Sequence, residues 1–143
     1  MMNKNNPVVT EQSFNVSRET LWNAITDEDQ MREWFFPNIP SFKPEIGFET
    51  EFNVQSEARA FLHQWKVTEV IPKRKITLSW KYGGYEGESF VTFEILEESD
   101  RIKLRLTHAG IESFPDGIPE FRRESCEAGW HYFINEQLVK YLK

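Results

Sequence analysis

The sequence predicts an α+β fold: a curved antiparallel sheet of about six strands wrapped around one long C-terminal helix, with two short helices after the first strand. Three observations predict it. Apolar residues between Leu21 and Phe35 recur at helical spacing, those between Phe48 and His108 alternate with period two, and those between Phe121 and Leu142 return to a 3.6-residue period. A run of two-residue alternation bracketed by helical patterns has one economical solution, a meander whose apolar face is covered by the final helix.

The first strand spans Val8 to Val16, with Val8, Thr10, Gln12, Phe14 and Val16 on one face. Ser17 is a good N-cap, since its hydroxyl can accept a free backbone N–H, and the helix it starts carries Leu21, Trp22 and Ile25. Asp27 with Gln30 matches a capping box for a second helix presenting Met31, Trp34 and Phe35, which Pro37 ends. The alternating runs follow: Phe48 to Val54, Phe61 to Val67, Ile76 to Tyr82, Val91 to Ile95, and Ile102 to His108. Polar or glycine-rich turns separate several of them, at Pro72–Lys75, Gly83–Gly87 and Glu97–Asp100, so consecutive strands pair through hairpins. Gly110 to Pro119 is a loop, and the last helix of some 20 residues presents Phe121, Cys126, Trp130, Phe133, Ile134, Leu138, Tyr141 and Leu142 as its apolar stripe.

A chain of 143 residues is expected to form a single domain over residues 8–143, with residues 1–7 disordered. Its 23 acidic and 17 basic residues give a net charge of −6, which argues against nucleic acid or an anionic membrane as partner. One cysteine, Cys126, excludes an intrachain disulfide, and the absence of an apolar leader points to the cytoplasm.

Taken in this order, Phe14 to Pro37, Val67–Pro72 followed by Ile76–Trp80, Val91–Glu94, Leu104–Gly110, and Gly129–Trp130 with Leu138 and Tyr141–Leu142 resemble the Hsp90-ATPase-activator-homologue family. That family belongs to the START-like, Bet v 1-like superfamily of helix-grip domains. The resemblance implies a hollow between sheet and final helix in which superfamily members carry lipids, hormones or flat polyketide-like molecules. Some use the hollow for cyclase or hydrolase chemistry. Eukaryotic members stimulate the Hsp90 chaperone, where this domain accompanies an N-terminal one not found among these residues. The family has no shared catalytic motif, so no catalytic residue is carried over.

The residues themselves favour binding over catalysis. No serine sits in a Gly-x-Ser-x-Gly turn, and His63, His108 and His131 are too dispersed in sequence to suggest a metal site. Glu127 and His131 stand i,i+4 and read as a surface pair. The glycine-rich turn at Gly83 lacks the following helix that a phosphate cradle needs and reads as a hairpin beside a cavity mouth. His63 and His108 fall on the inward register, where a buried imidazole needs a partner and could orient a guest. Phe52, Trp65, Trp80, Tyr82 and Phe93 on the strands are expected to line the hollow with those histidines. Leu104 and Leu106 on the last strand, and Trp130 and Phe133 on the final helix, complete the expected lining. So many rigid rings predict a void of about 300 Å³ or more suited to a flat apolar molecule. Gly129, inside the helix at a cost of about 1 kcal/mol, is explained either by close approach to Trp34 or the sheet, or by a bend that leaves room for a guest. The readings in order are therefore a small-molecule-binding protein without cofactor, a chaperone-type interaction module, and a small cyclase- or hydrolase-like enzyme, each as a monomer or weak dimer.

Overall fold

The computed structural model describes residues 6–143. Strand β1 (Val8–Phe14) leads into helices α1 (Arg18–Thr26) and α2 (Glu28–Trp34). Five strands follow: β2 (Glu49–Gln55), β3 (Ala60–Ile71), β4 (Lys75–Tyr82), β5 (Ser89–Glu97) and β6 (Ile102–Ala109). They form one curved antiparallel sheet ordered β1-β6-β5-β4-β3-β2, so every connection after β2 is a hairpin and β1 closes onto the last strand. A bulge between Val67 and Glu69 adds a residue to β3 and bends it.

The caps are set as their chemistry requires, with one difference. Ser17 accepts from the Thr20 N–H at 3.0 Å and Asp27 from the Gln30 N–H at 3.1 Å. The reciprocal half of the expected capping box is not made, because the Gln30 side chain accepts from the Tyr141 hydroxyl and the Asp27 N–H bonds Asn23. β1 also ends at Phe14, two residues short of the expected Val16.

The C-terminal helix begins as α3 (Arg123–Trp130), continues as a π-helical segment over His131–Gln137, and closes with the α4 turn (Leu138–Tyr141). The wide turn is visible in the Leu138 N–H, which bonds the Phe133 carbonyl five residues back. Trp130, Ile134 and Leu138 are buried at a four-residue repeat. A strict α-helix would carry such a row round by about 40° per step, and the widened turns counter that drift. The expected stripe is therefore broken at both ends. Phe121 belongs to a separate 3₁₀ turn, Pro119–Phe121, and Tyr141 faces solvent. The expected pairing of Glu127 with His131 is also replaced: Arg123 bonds Glu127, and His131 lies 3.5 Å from Glu136, the i,i+5 spacing of a π turn.

Residues 1–5 of the segment expected to be disordered lie outside the described residues. Asn6 and Pro7 are placed, their carbonyls accepting from Arg123 at 2.6 and 3.1 Å. Among the described residues no helix is long and apolar enough to cross a membrane, and no group of three or more His, Cys, Asp or Glu converges.

Candidate functional site

The middle of the concave face, where a guest was expected, is filled by Phe35. As the residue that ends α2, it leaves the helical path and drops into the sheet. Its ring stacks on Trp34 at 4.7 Å and on Trp65 at 5.5 Å, and meets Phe133 edge-on at 4.8 Å. Phe93 and Trp130 close round it at 6.3 and 5.7 Å. Five of the expected lining residues, Phe52, Trp65, Phe93, Leu104 and Leu106, are thus buried core and border no part of the hollow described below. The physical reason is that alternation shows which face a strand residue occupies, whereas a helix-terminal ring decides whether that face is covered.

The open space lies at the other end. A chamber of about 130 Å³ is bounded on the sheet by His63, Trp80, Tyr82 and His108, and on the helix by Cys126, Gly129, Trp130 and Phe133. The remaining six expected residues line it. Phe36, which sequence reasoning missed, forms its third wall, packed on Phe133 at 4.9 Å and on His63 at 5.3 Å. Its signal was weak, since Pro37 marks it as extended but not as inward. The chamber opens past Phe61, Phe121 and Tyr132 into a mouth of about 500 Å³, smaller than the expected void inside and larger outside. Gly129 borders both spaces, and a Cβ built there would meet nothing within 4 Å. Close approach does not explain this glycine; open space does.

The two inward histidines have opposite situations. Trp130 Nε1 donates to His108 Nδ1 at 3.0 Å, so the ring hydrogen sits on Nε2 and points to Ser89 Oγ at 2.8 Å. The Ser89 hydroxyl in turn donates to the Trp80 carbonyl at 2.8 Å. This relay ties helix to sheet and uses both imidazole nitrogens. In His63, Nδ1 lies 3.2 Å from the Phe61 carbonyl, which can only accept, so the hydrogen is on Nδ1 and Nε2 carries a lone pair. That nitrogen has no partner and is not sealed off; Trp65 Nε1 is the buried side-chain polar atom left unbonded among the described residues. Burial lowers His63 to about 4 and His108 to about 3, so both rings are neutral at physiological pH.

Tyr82, directly across from His63 in the β3–β4 register, meets it edge-on at 4.9 Å. Its oxygen accepts from Trp80 Nε1 at 3.0 Å, and burial pushes its phenol well above the usual range. Cys126 is pushed up to about 11, also by burial, and is an inert thiol. At the lip, Glu120 accepts from Ser56 at 2.8 Å and Arg59 at 2.6 Å, which hold its carboxyl below the ordinary value and tie the β2–β3 hairpin to the segment before the helix. The glycine-rich turn lines neither space but stands behind the mouth: Tyr85 packs on Phe61 and Phe121, and at Gly87 (φ 105°) a Cβ would lie 2.5 Å from the Ser113 carbonyl. A shallow depression of about 550 Å³ on the outer face is lined by exposed Glu49, Glu51, Lys66 and Lys81 and offers a guest only solvated charge.

Comparison with known proteins agrees with this architecture. The family model described as Activator of Hsp90 ATPase homolog 1-like protein matches residues 15–143. Protein CV1439 from Chromobacterium violaceum has the same fold, with a TM-score of 0.78 at 17% identity over 96% of each chain. The Aha1 dimer from Colwellia psychrerythraea aligns at 0.69 and 18% identity over 95% of each chain. DynU16, from the dynemicin biosynthetic locus, aligns at 0.75 and 20% identity over 96% of this chain, which spans 47% of DynU16. No curated protein sequence matches the chain.

Proposed function

The chain belongs to the Activator of Hsp90 ATPase homolog 1-like family, and from that premise we propose that it binds a small, largely apolar molecule noncovalently, in the cytoplasm, in the chamber beneath the C-terminal helix. Gly129 carries this reading. A glycine inside a helix costs about 1 kcal/mol relative to alanine, and a side chain would fit without a clash. The chain gives up that stability at the position whose side chain would fill the chamber. A cavity of about 150 Å³ walled by apolar groups is known to accept a benzene-sized guest, which sets the scale for the inner 130 Å³. The longer part of a guest would lie in the mouth.

The test is a panel of one- and two-ring aromatic compounds followed by tryptophan fluorescence and melting temperature. Binding should quench emission from Trp80 and Trp130 and raise the melting temperature with ligand concentration. Gly129→Leu, which fills most of the chamber, should abolish both effects while the protein stays folded. A panel without effect, or binding that survives Gly129→Leu, overturns the reading.

A protein-partner role stands second, favoured by the family's description and by the fold shared with the Aha1 dimer. Stimulation of Hsp90 ATP turnover by this domain, undiminished in Gly129→Leu, would place it first. Catalysis is the least supported: an imidazole held near 4 is a weak base at neutral pH, and a phenol pushed upward is a weak acid.

A further inference from the structure

The polar end of the chamber is chemically asymmetric. His108 has no free nitrogen, since Trp130 and Ser89 occupy both, and its part is to position the walls. His63 Nε2 is a bare acceptor. Beside it, the Tyr82 oxygen takes the Trp80 indole hydrogen, while the phenolic hydrogen has no acceptor among the described residues. The two rings are cross-strand neighbours with centroids 4.9 Å apart, and both line the same small space, so an unused acceptor and an unused donor belong to adjacent walls of it. No lysine or arginine lines that space; its one charged group, Glu120, is negative and already bonded to Ser56 and Arg59.

We propose that the inner chamber selects an uncharged hydroxyl on a single-ring, phenol-like end of the guest, which donates to His63 Nε2 and accepts from the Tyr82 hydroxyl. The inference deepens the binding reading above and rests on it. A hydroxyl supplies donor and acceptor on one atom, which matches two complementary groups side by side. An ether can only accept and would leave His63 unpaired, a hydrocarbon satisfies neither group, and a carboxylate would enter an apolar space without a cation. Both wall groups keep their protons across the neutral range, so the preference holds there.

Four compounds of nearly one shape test it by calorimetric titration at pH 7.5: 4-propylphenol, 4-propylanisole, propylbenzene and 4-propylbenzoate. The phenol should bind about tenfold tighter than the anisole or the hydrocarbon, as expected for one or two well-made hydrogen bonds, and the benzoate should not bind measurably. His63→Phe should shrink the gap between phenol and anisole to under about threefold, read as a ratio of the two affinities because the larger ring also narrows the chamber for every guest. Tyr82→Phe, which removes one oxygen, should weaken phenol and anisole together and serves if His63→Phe does not fold. Equal affinity of phenol and anisole in the unaltered protein, a gap that persists in His63→Phe, or benzoate binding tightest would overturn the inference while leaving the pocket. If none of the four binds, the pocket reading fails and this inference with it.

Discussion

The two ends of the concave face are built from the same kind of residue and differ in what descends on them from the helical side. Over β3 and β4 near Trp65, Phe35 fills the curve and is 5% exposed. One inward step along β3, at His63, the helix offers Gly129 instead and the space stays open. Both histidines belong to the open end and divide its work: His108 is locked between indole and serine, and His63 shows a lone pair to the hollow. An inward-facing strand register thus makes a surface that is either core or site, and the covering element decides which.

Acid should strain the open end through both of its histidines, and this is the largest expected effect. The folded values of about 4 and about 3 lie below the ordinary 6.5, so as pH falls the unfolded chain takes up protons first. Stability is then complete above pH 6.5 and is lost as pH falls toward 4. With two protons involved the slope approaches about 2.7 kcal/mol per pH unit, several kcal/mol in all. Glu11, Glu98 and Glu120, lowered from 4.5 by Arg105, Ser13 and Ser56 respectively, have the same sign but act only at lower pH. Urea unfolding between pH 7.5 and 4.5 checks it. His108→Leu should remove one proton from the slope and, by stranding the Trp130 N–H, cost about 2 kcal/mol at neutral pH. A flat profile would mean that neither ring is neutral by burial.

Phe35→Ala should convert the packed end into a second hollow. Removing a buried Phe costs about 3–5 kcal/mol, here at the high end because two of the surrounding indoles are held by hydrogen bonds, Trp34 to the Ala24 carbonyl and Trp130 to His108, and resist collapse inward. Denaturant unfolding measures the loss. The same variant should accept larger aromatic guests than the unaltered chain, and loss of stability without any gain in guest size would show that the two ends do not communicate.

The order of elements, the caps at Ser17 and Asp27 and the inward register of His63, Trp80 and Tyr82 were readable because each depends on residues within a few positions of one another. Trp130, Phe133 and Gly129 were readable on the final helix for the same reason. What could not be read is long-range or geometric. The partners of His108 come from β5 and from a helix 22 residues away. The π turns depend on a four-residue burial row that resembles ordinary helical spacing, so nothing local marks them. The spacing of Phe35 puts it on a helix face, and only the termination of α2 at Trp34 turns it into a plug. The excess of rings correctly suggested imperfect packing but not where the imperfection lies.

The smallest effect bears most directly on why the ends differ. Gly129→Ala adds one methyl that meets nothing within 4 Å, so it neither clashes nor fills the chamber. If Gly129 served the fold, through a bend or a tight contact, alanine would be neutral or harmful. If it only keeps space, alanine should stabilise the helix by up to about 1 kcal/mol, read as a rise of about 3 °C in melting temperature. Guest affinity should fall slightly, since the methyl narrows the passage between chamber and mouth. A stabilised protein that binds its guest less well is the outcome in which stability and function were traded at one residue. A destabilised protein would return Gly129 to the fold and leave the open end of the sheet without its explanation.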